Sequence, residues 1–339
     1  MIYRIFSKAE IKELLNKNLI WLAAVFAVAV MYLTGCTKSI TADFMFEMGT
    51  QSAQKKEYTK AAEWYQKAAD AGNASAMVNL GVFYEQGLGL AQDYAKAREW
   101  YEKAAAVSSI GLAFYNLGVL YDRGWGVGQD YTKAREYYEK AASAGEANAM
   151  SNLGVLYQNG QGVTQDYARA REWYEKAAAG GIGSAMVNLG MLYEQGLGVG
   201  QDYAKAREWY QKGAVNGKAD ALYNLGVLYD QGWGVTQDYV KAREYYEKAA
   251  NAGDPESMGN LGALYANGEG VVQDYAKALV WFQKAAALGS ATAMYNLGRF
   301  YEKGLGVAQD DAKAQAWYQQ AAAGGSARAK QALARLASK

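Results

Sequence analysis

The stretch ASAMVNLGVFYEQGLGLAQDYAKAREWYEKAAA, residues 74–106, holds two apolar patterns separated by glycines. In the first, Ala74, Met77, Leu80, Gly81 and Tyr84 recur at i, i+3, i+4 spacing, which is the pattern of an amphipathic helix. Gly87-Leu88-Gly89 closes that helix, because glycine takes the left-handed cap conformation without a Cβ penalty. Asp93 follows and can accept from the free amides of a new first turn. A second helix is expected from Tyr94 to about Ala106, packing through Ala97, Trp100, Tyr101, Ala104 and Ala105. Gly81 has no side chain and marks the expected point of closest approach between helices.

The same string returns along the chain. Asn-Leu-Gly stands at Asn79, Asn116, Asn152, Asn188, Asn224, Asn260 and Asn296, with a first step of 37 residues and later steps of 36. The longer step belongs to Val107-Ser108-Ser109, which lacks the glycine that closes other copies, as in Ala142-Ser143-Ala144-Gly145. One helix–loop–helix unit is too small to bury its apolar face. Stacked copies supply the missing partner, so the period predicts a solenoid with a continuous core. The 339-residue length therefore does not call for two globular domains. Leu is expected to pack, Gly to permit close contact and Asn to tie turns between helices. Trp64, Trp100, Trp173, Trp209, Trp281 and Trp317 share one register of the second helix and are expected in the core. Residues 37–41 read as a short tether. Residues 42–73 read as a helix pair without the Gly-x-Gly loop, since Gly49 and Gly81 are only 32 apart. Residues 74–325 form seven repeats, and residues 326–339 a final capping helix with Leu333 and Leu336 on its apolar side. The count is about eight helix pairs plus that cap, an all-α fold.

Composition narrows the chemistry. There is no histidine, the commonest general base and metal ligand, and one cysteine, so neither an intrachain disulfide nor a thiolate metal cluster can form. Lys and Arg number 35 against 34 Asp and Glu, without a basic stripe for nucleic acid. Asp93, Asp130 and Asp166 recur with the repeat and read as helix caps, not as a singular catalytic pair. The Gly-x-Gly loops lack the preceding strand and following Lys-Ser/Thr of a phosphate cradle. The sequence thus gives no catalytic residue, metal, cofactor or small-molecule substrate. Pro255, the only proline, suits the first turn of a helix.

Residues 1–18 carry Arg4, Lys8, Lys12 and Lys17 against Glu10 and Glu13, and Leu19 to Leu33 is apolar and uncharged. This n-region and h-region, followed by Leu33-Thr34-Gly35-Cys36, read as an export signal. The last four residues resemble the bacterial lipobox, which implies a lipid on Cys36 and a chain facing the periplasm. Thr37 in place of Asp favours the outer membrane by that resemblance. The other reading of residues 1–36 is a retained anchor helix.

The repeated string Asn-Leu-Gly-x-Leu-Tyr-x-x-Gly-x-Gly-Val-x-Gln-Asp-Tyr-x-Lys-Ala resembles the Sel-1-like repeats, relatives of tetratricopeptide repeats with a longer internal loop. The resemblance covers residues 74–325, and 42–71 in part. It implies a right-handed superhelix that acts as a scaffold or adaptor, binding another protein on a concave wall lined by the first helix of each pair. In bacterial envelopes it implies either a component of an export or secretion complex or an immunity protein that blocks a delivered toxin, such as a phospholipase. A hydrolase is the remote third possibility. The paired cysteines of the β-lactam-binding branch are absent.

Function is then expected where the copies differ. Two residues before the Leu stand Val78, Tyr115, Ser151, Val187, Tyr223, Gly259 and Tyr295, read as outward. Two after it stand Val82, Val119, Val155, Met191, Val227, Ala263 and Arg299. Five and six after it lies a mildly acidic rim that includes Asp122, Glu194 and Asp230. Tyr115, Tyr223 and Tyr295, flanked by Asp122, Asp230, Glu194 and Arg299, form the expected partner groove, since Tyr is a frequent interface anchor. Trp125 and Trp233, at the middle of two Gly-x-Gly loops, are expected to project from the loop tips.

Overall fold

The computed structural model describes residues 37–337. Residues 1–36, where an export signal and a lipid on Cys36 were expected, lie outside the described residues. Among the described residues, helices follow one another with no strand: α1 (Thr37–Gln54), α2 (Tyr58–Asp70), α3 (Ala74–Gln86), α4 (Tyr94–Val107), α5 (Gly111–Arg123), α6 (Tyr131–Ser143), α7 (Ala147–Asn159), α8 (Tyr167–Ala179), α9 (Gly183–Gln195), α10 (Tyr203–Val215), α11 (Ala219–Gln231), α12 (Tyr239–Asn251), α13 (Pro255–Asn267), α14 (Tyr275–Ala287), α15 (Ala291–Lys303), α16 (Asp311–Ala323) and α17 (Ala327–Ala337). The expected tether at 37–41 lies inside α1.

The described residues divide into two compact units, one running up to Ala149 and taking in Gln161–Val163, the other made of Met150–Gly160 and the residues from Thr164 onward. In the first unit α1 pairs with α2, α3 with α4 and α5 with α6, and each pair stacks on the next through α2 against α3 and α4 against α5. Its core joins Tyr65, Leu80, Tyr101, Leu117 and Leu120. In the second unit α9 pairs with α10, α11 with α12, α13 with α14 and α15 with α16, stacked in the same order, and α17 closes on α16. Its core runs through Tyr210 and Leu228, then Tyr246, Leu261 and Phe282, and ends at Tyr318 and Ala332. Odd-numbered helices are helix A of a pair and even-numbered ones helix B.

The repeat string explains this packing residue by residue. The Gly of Asn-Leu-Gly lies flat against the buried ring of its own helix B. A Cβ on Gly118 would stand 2.5 Å from Tyr138 Cδ1, and one on Gly226 2.5 Å from Tyr246 Cδ1, so no other residue fits. Gly124 caps α5 with φ 72°, and Gly126 lets the loop rest on the start of α4, where a Cβ would be 2.7 Å from Tyr94 Cβ. Asp93, Asp130, Asp166, Asp202, Asp238, Asp274 and Asp310 each cap a helix B, accepting from the backbone N–H three residues on. Asp254 does the same for α13, with Pro255 in its first turn. The extra residue of the first repeat lengthens α4 to Val107 and leaves Ser108 extended at φ −152°.

Two expectations change. The Trp register is half-buried at the core edge, and the fully buried residue is the aromatic after it. A Lys three residues on covers the outer face: Lys103 Nζ stands 4.0 Å from the Trp100 ring centre, and Lys176 4.1 Å from that of Trp173. In three copies the Asn of Asn-Leu-Gly links successive pairs, where a tie between turns was expected. Asn116, Asn188 and Asn260 reach back to the buried hydroxyls of Tyr101, Tyr174 and Tyr246 in the preceding pair.

Candidate functional site

From α4 onward, each buried helix-B tyrosine gives its hydroxyl proton to the residue five after the Leu of its own helix A, whereas Tyr65 of α2 donates to Thr50 at 3.4 Å. Tyr101 donates to Glu85 at 2.7 Å, Tyr138 to Asp122 at 3.1 Å, Tyr174 to Gln158 at 2.8 Å and Tyr210 to Glu194 at 2.6 Å. Tyr246 donates to Asp230 at 3.2 Å and Tyr318 to Glu302 at 2.7 Å. Burial, with the Glu194 carboxylate beside it, pushes the Tyr210 hydroxyl far above the usual phenol range. Desolvation raises the Asp230 carboxyl as well. Asp122, Asp230 and Glu194, expected as a solvent rim, therefore serve the core of their own repeats.

The tyrosines expected to point outward are half-buried. Tyr115 rests on Tyr138 with ring centres 6.0 Å apart, Tyr223 on Tyr246 at 6.1 Å and Tyr295 on Tyr318 at 5.6 Å. In the same register Val78, Ser151 and Val187 are buried. A helix flanked on both sides buries more than the single stripe of a surface helix. Trp125 and Trp233 are 38% and 39% exposed, and they lie on Tyr94 and Tyr203 of the preceding helix B at 5.3 and 5.7 Å between ring centres. They are therefore loop residues with one face packed and the other in solvent. Arg299 is exposed on α15.

The array breaks its pattern at one place in the second unit. Where other repeats put a carboxylate or amide five after the Leu, α13 has Ala266, and where they put a buried tyrosine, α14 has Phe282. Acceptor and donor are missing together. Two after the Leu, Ala263 replaces the Val or Met of earlier repeats. These shorter side chains line a cleft of about 510 Å³ between α13 and α15. Ala263, Ala266 and Asn267 form one wall, and Asn296, Arg299 and Lys303 the other. Phe282 and Phe300, buried and edge-to-face at 5.3 Å between ring centres, lie at its base. Arg299 and Lys303 are exposed, one helical turn apart, and neither has an ion pair or hydrogen bond among the described residues. Glu302 beside them is engaged, accepting from Tyr318 and from Arg335 at 2.6 and 2.8 Å. No carboxylate lines the cleft; Glu269 lies at its margin and accepts from Asn267 Nδ2 at 3.2 Å.

Of the residues expected to bind a partner, the cleft contains Arg299, and Ala263 of the same register lines it as well. Lys303, Phe282 and Asn296 carry it too; in the sequence Lys303 and Asn296 read only as members of repeated registers, and Phe282 was not singled out. The signal was legible in principle, as the coincidence of the one Phe among the helix-B tyrosines with the one Ala among its facing acceptors. Among the described residues, no three of His, Cys, Asp and Glu gather as a metal site requires. No described helix is long and apolar enough to cross a membrane.

The Sel1 repeat family model matches residues 31–73, 74–107, 112–146, 147–182, 183–217, 219–254, 255–290 and 291–326. The chain is similar to a protective antigen present in uropathogenic Escherichia coli strains that displays an SLR fold, with 36% identity and a TM-score of 0.75. That match covers 86% of this chain and 63% of the antigen, so the chain spans less than two thirds of its length. It is also similar to a Sel1 repeat protein from Oxalobacter formigenes, with 37% identity and a TM-score of 0.67, covering 73% of this chain and 99% of that one. No curated protein matches the sequence.

Proposed function

The chain belongs to the Sel1 repeat family, and we propose that it is a non-enzymatic scaffold that holds another protein on its helix-A face. One observation carries this reading. The buried Leu, Gly and Tyr positions hardly change from copy to copy, whereas the partly exposed position two after the Leu runs Val82, Val119, Val155, Met191, Val227, Ala263 and Arg299. A solenoid needs the first set to stack, and stacking does not require the second set to differ. The recurring carboxylates are occupied as caps and as acceptors for tyrosines, as at Asp202 and Glu194, which leaves no singular acid–base pair among them.

The reading includes the anchor. Leu33-Thr34-Gly35-Cys36 supports a lipid on Cys36, a periplasm-facing chain and the outer membrane as its location. Each buried methylene of a lipid chain contributes ~0.8 kcal/mol, so several chains hold a protein stably.

The test is capture of a stoichiometric protein complex by the lipidated chain from envelope membranes, against a Met191→Asp, Gln195→Asp variant. Both residues are exposed on α9, a helix A. The wild-type chain is expected to hold its partner through gel filtration and the variant to lose it with an unchanged melting curve. Equal retention would remove the helix-A face from the account. A single captured toxin whose activity is blocked would make the chain an immunity protein, and several envelope proteins would make it an assembly scaffold.

A further inference from the structure

We propose that the cleft between α13 and α15 receives an acidic segment of the protein partner, with a carboxylate held by Arg299 and Lys303 and an adjacent apolar side chain set against Phe282 and Phe300. The proposal rests on the partner-binding reading above and names the chemistry of one contact.

Three observations converge on it. First, the cleft is a local exception: Ala263, Ala266 and Phe282 each lack atoms that the matching positions of other repeats supply, and they lack them around one space of about 510 Å³. Second, α15 alone places two cations on this wall. The pairs two and six after the Leu run Val82 and Gln86, Val119 and Arg123, Val155 and Asn159, Met191 and Gln195, Val227 and Gln231, Ala263 and Asn267, then Arg299 and Lys303. Like charges at i, i+4 oppose each other on a helix surface, so the pair is unfavourable without an anion. Neither finds one within the described residues. Third, Asn296 has lost its partner. Its equivalents Asn116, Asn188 and Asn260 bond to tyrosine hydroxyls of the preceding pair, but the preceding pair here has Phe282, and the Asn296 amide lines the cleft instead.

An Arg, a Lys and an Asn amide on one wall form a set of donors with a net charge of two, and the phenylalanines add an apolar base. That combination suits a carboxylate next to an apolar group. A bare phosphate uses the charges and leaves the aromatic base unused, whereas an acidic peptide uses both. The cleft volume fits a few residues of chain.

The test uses the chain's own pattern. The Ala266→Glu, Phe282→Tyr variant installs the carboxylate–tyrosine pair that neighbouring repeats carry, fills the cleft and returns a hydroxyl to Asn296. Arg299→Ala, Lys303→Ala removes the exposed cations and leaves the core alone. A fluorescent Phe-Glu-Phe-Asp peptide with a free C-terminal carboxylate is titrated at low ionic strength, beside a Phe-Gln-Phe-Asn amide. Wild type is expected to prefer the acidic peptide by at least about tenfold, the scale of one charge-assisted hydrogen bond. Both variants are expected to lose that preference while melting no lower than wild type. Equal binding of the two peptides, undiminished preference in the filled variant, or inorganic phosphate competing as well as the acidic peptide would each overturn the assignment. Full capture of the protein partner by the filled variant would overturn the cleft and leave the partner-binding reading intact. Peptide preference without any captured protein would do the reverse.

Discussion

Tyr210 donates to Glu194 at 2.6 Å from a fully buried position, while Phe282 and Ala266 show that the same register folds with neither group. Removing one partner of a buried bond leaves the other unsatisfied, whereas removing both can be almost neutral. Tyr210→Phe is therefore expected to cost about 1–2 kcal/mol, and Glu194→Ala a similar amount. The double variant should cost clearly less than their sum, a coupling that chemical denaturation of all three chains would measure. Additive costs would mean that the pair is two independent contacts. Ser257 stands where other repeats have Ala76, Ala113 or Ala221, and its fully buried hydroxyl has no hydrogen-bond partner. Ser257→Ala is expected to stabilise the chain by about 1 kcal/mol, read as a higher melting temperature.

The helices were legible in the sequence because each carries its own start and stop. Helix B begins at an Asp cap in seven copies, and helix A ends at glycines such as Gly87 and Gly196 with φ near 70°. The faces of helix A were less legible. One periodic stripe locates one packing partner, but these helices have two, so Val78 and Tyr223 are covered where a single-stripe reading exposes them. The cleft was harder to read: Ala263, Ala266 and Phe282 stand out in the sequence as exceptions, but they fall on two different helices, and only the fold brings them together. At this scale the caps also set the acid response. The backbone N–H groups of Lys241 and Lys313 foremost hold the Asp238 and Asp310 carboxyls below the usual range. Their contribution is present above the ordinary Asp value of about 4 and is lost as pH falls through the lowered one. Melting temperature should drop with acidification in that window, and less steeply in Asp238→Asn, Asp310→Asn. At the C-terminal end, Arg335 of α17 binds both Glu302 oxygens, and Glu302 is only 8% exposed. Arg335→Ala is expected to loosen α17 by about 2 kcal/mol, seen as faster amide exchange confined to that helix and its neighbours.

Over the whole chain, stability should behave as a sum of repeats and their interfaces. Excision of residues 219–254, one full family match, joins equivalent points of the pattern. The shortened chain should stay helical and unfold with a smaller dependence on denaturant, because less surface is exposed. Collapse to an unfolded chain would contradict a modular core. The anchor has its own check, since fatty-acid labelling should reach the wild-type chain and not Cys36→Ser. The central claim is that one helix face, and not the array at large, holds a partner. Photo-crosslinking residues placed singly at Met191, Val227 and Arg299 on helices A, and at exposed Val240 and Val280 on helices B, test it in intact cells. The account expects one discrete cross-linked protein from the helix-A sites and none from the helix-B sites. Equal cross-linking from both sets, or from helix B alone, would contradict it.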